Sequence, residues 1–277
     1  MNTPTLNLSS VTLLAVDTRA PGMALRALEH SARHARFARC LLLSHGKAIA
    51  ALPPGIEWVD IGPIASAAAY STFMLGGLLP YVDTPHVLVV QWDGFVIDAA
   101  AWDPSFLDSD YLGAPWGKAP QGHRVGNGGF SLRSRRLLQV LQQPLLQAQW
   151  HHPEDICIAQ TLRGPLETQH GIRFGTLAQA QRFAFENETP TAPCFGFHGA
   201  FNLHRVLTPA ELAATLVELP DSLVVSRDGF KTARALMRDG HRTSAAVLLQ
   251  RRLALGVTDW RTRWLAWRAA GGALLRA

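Results

Sequence analysis

The chain has 277 residues, 48% of them hydrophobic and 17% charged, which suits one α/β domain with an appendage or two small domains and excludes a disordered chain. The formal net charge of +5 is uneven: residues 1–204 carry 14 Lys and Arg against 15 Asp and Glu, and residues 205–277 carry 12 against 6. No apolar run reaches the roughly 18 residues of a membrane span, the start lacks the basic region of a signal peptide, and Cys40, Cys157 and Cys194 show neither metal spacing nor an even framework; together these predict a soluble cytosolic protein, peripheral at most to a membrane.

Val11 to Val16 reads as a buried strand that ends at Asp17-Thr18-Arg19. Pro21 to about Phe37 reads as a helix with Leu25, Leu28 and Ala32 on its apolar face. Strands are predicted at 40–44 and, after the Pro53-Pro54-Gly55 breaker, at 56–61. Ser66 is placed to cap an apolar helix running to about Leu79, and a β-branched run at 86–91 predicts the next strand. This alternation favours a mostly parallel sheet covered by helices.

That last strand runs into Gln91-Trp92-Asp93-Gly94, which puts Asp93 where a central strand delivers its final side chain. In open α/β sheets ligands collect at the carboxyl ends of strands; alternatively Asp93 caps the turn through Gly94. The following stretch is less regular, with Tyr111 to Trp116 as a short strand and Gly117 to Gly122 as a candidate flap. Val125-Gly126-Asn127-Gly128-Gly129-Phe130 then offers a backbone that a ligand can approach closely, or a plain glycine-rich turn. Ser134 to Ala148 reads as a helix capped by Ser134.

Trp150-His151-His152-Pro153-Glu154-Asp155 leads into another helix, and two acids in a first turn are also what the helix dipole favours. The adjacent His151 and His152 suit a loop better than a shared metal. His170 to Phe174 is a candidate strand, Ala178 to Phe185 is ambiguous, and His198 stands among glycines and aromatics as a packed residue or a ligand.

From Leu207 onward the pattern turns helical. Thr208-Pro209-Ala210-Glu211 is a capping box, and residues 230–238 and 241–255 form a helical hairpin around Asp239-Gly240, loosely similar to a tetratricopeptide pair. Trp260, Trp264 and Trp267 share one helical face near Arg261, Arg263 and Arg268; that face either lies at a membrane interface or packs onto the domain.

The order of these motifs, Gln-Trp-Asp-Gly at 91–94, Tyr-Leu-Gly-Ala-Pro-Trp at 111–116, Gly-Asn-Gly-Gly-Phe-Ser-Leu-Arg at 126–133 and Pro-Glu-Asp at 153–155, resembles bacterial GT-A-type glycosyltransferases over roughly residues 10–204. More narrowly it resembles an uncharacterised family found with surface-polysaccharide genes. The resemblance implies a GT-A-like, Rossmann-type catalytic domain over 1–204 and a helical extension over 205–277. It implies transfer of a sugar from a nucleotide-diphosphate sugar, UDP-sugar favoured, to a glycan or lipid-linked glycan hydroxyl. Asp155, with Glu154 second, takes the place of the base; Asp93 and His198 take that of the metal ligands. Thr18, Arg19, Gln91, Trp92, Asn127, Gly128 and Gly129 fall where the donor is held, although Arg19 equally suits an exposed surface. Oxygen and imidazole ligands suit Mn²⁺ or Mg²⁺. The usual Asp-x-Asp is here Gln91-Trp92-Asp93, so one carboxylate is replaced by an amide.

Two other classes fit parts of the pattern. One is a non-catalytic nucleotide- or carbohydrate-binding module whose helical tail docks a partner. The other is a phosphoesterase, disfavoured because the clustered Asp and His ligands of a two-metal site are missing. No zinc spacing or RNA-binding aromatic signature supports a nucleic-acid partner.

Overall fold

A computed structural model describes residues 6–46, 52–117, 119 and 122–271; Lys118, Pro120 and Gln121 of the candidate flap lie outside the described residues. The chain divides into two compact units, Met1–His198 and Gly199–Ala277.

The first unit is built on a six-stranded sheet. Its strands are β1 (Leu6–Val16), β2 (Ala35–Ser44), β3 (Ile56–Asp60), β4 (His86–Val90), β5 (Tyr111–Gly113) and β6 (Ser131–Ser134), in the order β3-β2-β1-β4-β6-β5. The first four are parallel, with Ala15 opposite Val90 and Leu14 opposite Leu41, and β6 runs antiparallel to both β4 and β5. The expected mostly parallel, helix-covered sheet is therefore present. The chain leaves β1 to one side for β2 and β3, then returns to the other side of β1 for β4. That reversal opens a crevice beyond the carboxyl ends of β1 and β4, the place where such sheets bind ligands. Leu14, Val16, Leu41, Leu43, Val87 and Val89 line one face of the sheet with Met74, Leu78, Val82 and Leu138 against them.

Several boundaries differ from the sequence reading. Helix α1 (Pro21–His34) stops three residues early, because Ala35 to Arg39 alternate inward and outward and pair with β1 at Asn7–Arg36 and Leu8–Phe37. Ser66 caps α2 (Ala67–Thr72) through the amide of Ala69 as expected, but the helix then widens into a π-type turn at Phe73–Gly77. There the Gly76 backbone lies against the Trp150 ring, where a Cβ would be only 2.5 Å from a ring carbon. Pro144 splits the helix expected at 134–148 into α3 (Arg135–Leu141) and α4 (Pro144–Gln147). The acidic pair opens α5 (Glu154–Ile156), which continues through a π-type turn towards α6 (Arg163–His170). Instead of a strand from His170, Gly171 ends α6 in the left-handed conformation at φ 60°. The ambiguous stretch becomes α7 (Leu177–Phe183) with a Thr176/Gln179 capping box, then β7 (Ala184–Phe185), paired in parallel with β8 (Gly196–Phe197).

The second unit consists of α8 (Pro209–Glu218), α9 (Asp221–Val225), α10 (Arg227–Arg238), α11 (Arg242–Ala254) and α12 (Trp260–Ala269) after a 3₁₀ turn at Ala200–Arg205. The Thr208/Glu211 capping box and the hairpin at Gly240, whose φ is +88°, form as expected. Helix α12 buries Thr262 and Leu265 within its own unit and leaves Trp260, Trp264 and Trp267 exposed. Among the described residues no helix is long and apolar enough to cross a membrane.

Candidate active site

The turn after β4 is closed by its own main chain, with Gln91 N–H donating to Gly94 O (3.1 Å) and Gly94 N–H to Gln91 O (2.9 Å). Trp92 and Asp93 sit half-buried at its tip. The Asp93 carboxylate lies 3.6 Å from the Nε2 of His198. His198 follows β8 directly, and its amide donates to Phe185 O (2.9 Å), so the small β7–β8 sheet fixes the approach of the ring. Nε2 also meets Gln91 Oε1 at 3.2 Å, while Nδ1 faces Asn127 Nδ2 at 3.1 Å and Glu186 Oε1 at 3.4 Å. Burial opposes charge on this ring, but the Asp93 and Glu186 carboxylates outweigh it and raise its pKa to about 9. Protonation selects the Glu186 contact at Nδ1, because a protonated nitrogen cannot accept from the Asn127 amide.

The glycine turn is folded around Asn127, whose Oδ1 accepts from the amides of Gly129 (3.0 Å) and Phe130 (3.4 Å). The space a side chain would need at its glycines is taken by the protein itself. A Cβ on Gly129 would lie 2.1 Å from His198 Nε2, and one on Gly128 would lie 2.9 Å from both Asp155 Cβ and Glu154 Oε1. On Gly126 it would strike the Trp116 ring at 2.4 Å. These positions lack side chains because the site's own residues occupy the space.

The two acids of α5 have different surroundings. Glu154 is buried; its Oε2 accepts from Ser71 Oγ (3.2 Å) and its Oε1 lies 3.6 Å from Arg133 Nη2. Its own amide donates back to Ser71 Oγ, so this residue is held at both ends. Asp155 accepts from the amides of Gly128 (3.3 Å) and Ile156 (2.8 Å). Burial, then the neighbouring Glu154 charge, push its carboxyl above the ordinary range, which favours a proton on it.

Arg133 is fully buried and ties these pieces together, reaching Ser131 Oγ (3.0 Å), Gly128 O (3.3 Å) and Met74 O (3.4 Å), with its guanidinium 5.6 Å from the centre of the Tyr111 ring. Tyr111 OH in turn donates to Gly126 O (2.7 Å). On the far side Gln91 Nε2 donates to Tyr70 OH (2.8 Å), and Ser71 Oγ meets His152 Nδ1 (2.8 Å).

Asp93, His198, Asn127, Gly128, Gly129, Glu154, Asp155 and Gln91 thus form one connected group, although they are distant in the sequence. Thr18 and Arg19 lie at the same edge of the sheet, past the end of β1. Thr18 Oγ1 accepts from the amide of Ile64 (3.0 Å), and Arg19 is exposed. His151 Nε2 meets Thr161 Oγ1 (2.7 Å), in keeping with a loop role. Sequence reasoning missed Glu186, Arg133, Ser71 and Tyr70. Glu186 lies in an ordinary polar run, and only the pairing of β7 with β8 brings it beside His198. Arg133 stood in the glycine motif, where a charged residue one position before a helix cap gives no signal of full burial.

Among the described residues no group of three or more His, Cys, Asp or Glu side chains is placed to hold a metal ion. Asp93 and His198 alone supply two donors, 3.6 Å apart. This pair can hold an ion only once the His198 ring gives up its proton, with the remaining ligands drawn from substrate phosphates and water.

Among solved structures, the galactosyltransferase LgtC in complex with donor and acceptor sugar analogues is 15% identical with a TM-score of 0.41, over 70% of this chain and 86% of that one. An active-site mutant of LgtC is 14% identical with a TM-score of 0.48, over 79% and 99%. The mannosyltransferase PcManGT from Pyrobaculum calidifontis, in complex with GDP-Man and Mn²⁺, is 12% identical with a TM-score of 0.39, over 97% and 81%. No curated protein matches the chain. A family profile described as "Protein of unknown function (DUF5672)" matches residues 56–198, just over half of the chain and the span from β3 to His198, and the chain belongs to that family.

Proposed function

We propose that this protein is a glycosyltransferase that moves a sugar from a nucleotide-diphosphate sugar, UDP-sugar favoured, to a hydroxyl of a glycan or lipid-linked glycan. The observation that carries the reading is the convergence of Asp93, His198, the Asn127–Gly129 turn and Asp155 beyond the ends of β1 and β4. In the reaction the acceptor oxygen bonds to the anomeric carbon as the bond from that carbon to the diphosphate oxygen breaks. The acceptor proton passes to a carboxylate, and the diphosphate leaves with the electron pair.

Asp155 is the carboxylate suited to take that proton. A base whose pKa is raised towards the working pH is the more effective one, and such a group contributes about 10²–10⁴-fold. Glu154 is engaged by Arg133 and Ser71 and acts as a positioning residue. A divalent ion, Mn²⁺ or Mg²⁺, held by Asp93 and His198 would supply Lewis-acid stabilisation of the leaving diphosphate. Gln91 and Glu186 hold the His198 ring in place, and Thr18, Arg19 and Trp92 stand at the edge where the donor nucleotide would lie.

The test is nucleoside diphosphate release from a panel of UDP- and GDP-linked sugars, with and without a glycan acceptor. Release by the parent and its loss in Asp155→Asn are expected; release undiminished in that variant removes Asp155 as base. The amide at Gln91 favours a second reading, a module that binds the donor without turning it over. Donor binding by the parent with no release under any condition would establish it.

A further inference from the structure

Helix α12 presents a face that its own unit does not use. Trp260, Trp264 and Trp267 follow the i, i+4, i+7 spacing and fall within about 60° of one another at roughly 100° per residue. Thr262 and Leu265, the buried residues of the helix, lie on the opposite side. The tryptophans are 71, 50 and 40% exposed, a large apolar exposure for one ten-residue helix. Arg261 and Arg268 flank this face on one side and Arg263 on the other. The Arg268 guanidinium stands 4.9 Å from the Trp264 ring centre, and that of Arg261 stands 5.5 Å from Trp260. From Trp260 to Ala277 the sequence has no Asp or Glu.

Indole rings are apolar bodies with one polar N–H and favour the headgroup level of a bilayer. Arginines lay their stems along apolar surface and keep the charge in water or on phosphate. Three tryptophans bordered on both sides by guanidinium groups match the surface of an anionic bilayer in both polarity and charge; the acid beside them, Asp259, is the helix cap, its carboxylate engaged by the amides of Arg261 and Thr262 and by the Thr262 hydroxyl.

We propose that α12 is a membrane-surface anchor, which lies along an anionic phospholipid leaflet with Trp260, Trp264 and Trp267 among the headgroups and Arg261, Arg263 and Arg268 on lipid phosphates. The cytoplasmic leaflet is the anionic one. This anchoring is independent of the sugar-transfer reading; together they would place a soluble catalytic unit beside lipid-linked acceptors.

The experiment uses the full chain with vesicles of phosphatidylcholine alone or mixed with phosphatidylglycerol, read by co-sedimentation and by quenching of tryptophan fluorescence with brominated lipids. The parent is expected to bind the mixed vesicles at least tenfold more tightly than the neutral ones, less so as salt rises. Changing the three arginines to Gln together should weaken binding to mixed vesicles about a hundredfold, roughly fivefold for each charge removed. Changing the three tryptophans to Ser should abolish quenching. All six positions are exposed, so unchanged circular-dichroism melts are expected for both variants. Absence of parent binding, equal binding to both vesicle types, or undiminished binding by the tryptophan variant overturns the proposal. So does concentration-dependent self-association of the parent that the tryptophan variant loses, which would assign the face to a second copy.

Discussion

Arg133→Met removes a cation that faces the buried Glu154 while keeping most of the side-chain volume. The guanidinium is fully buried, lies 3.6 Å from Glu154 Oε1, and donates to Ser131 Oγ and to the carbonyls of Gly128 and Met74. Removing one partner of a buried ion pair costs about 3–5 kcal/mol, because the remaining charge is left without compensation. Whole domains have a stability of about 5–15 kcal/mol, so this is a large share. For a unit of this size each kcal/mol lowers the melting temperature by roughly 2–4 °C, which predicts a fall of about 6–20 °C. Thermal and urea unfolding at neutral pH measure it. The double variant Arg133→Met with Glu154→Gln should recover much of the loss, because the amide replaces the stranded charge. A single variant that melts with the parent, or a double variant no more stable than the single, would refute the argument that Arg133 neutralises Glu154.

Three further outcomes are expected. Gly129→Ala places a methyl 2.1 Å from His198 Nε2; the ring must move by about 1 Å, a misplacement that costs on the order of 10²-fold in turnover, and undiminished nucleoside diphosphate release would show that the ring's position is unimportant. Asp155 has its carboxyl raised above the ordinary 3.8 in the folded chain, so the folded state prefers the proton and loses stability as pH rises through that raised value. Asp155→Asn should therefore melt higher than the parent at neutral pH, with the gap closing below pH 3.8, and a lower melting temperature at neutral pH would contradict this. In the parent the acid limb of turnover should lie above the usual aspartate range; a limb at the ordinary aspartate value would separate Asp155 from the proton transfer.

The sequence was informative where one short-range pattern decided the outcome. The apolar run at 86–90, the caps at Ser66, Ser134 and Thr208, and the Gly240 hairpin each follow from neighbouring residues. It failed where a local pattern was ambiguous or a distant contact decided. The end of α1 was misplaced because residues 35–39 carry charges that a strand edge tolerates by pointing them outward. The glycines at 126–129 mark a place of close approach, and the protein's own Trp116, Asp155 and His198 come close there, which no spacing rule reveals. Glu186 and Arg133 entered the site only through strand pairing and burial, which are properties of the assembled unit.

The proposed function rests on the cluster around His198 holding the diphosphate of a nucleotide sugar. It is tested most directly by thermal shift of the parent and of Asp93→Ala against UDP- and GDP-linked sugars, with and without Mn²⁺. Binding at a hundred times the dissociation constant stabilises by about 2.7 kcal/mol, or several degrees of melting temperature. Such a shift is expected for the parent with at least one donor, as is its loss in Asp93→Ala, whose own fold remains intact. No shift with any donor, or the same shift in both proteins, would contradict it.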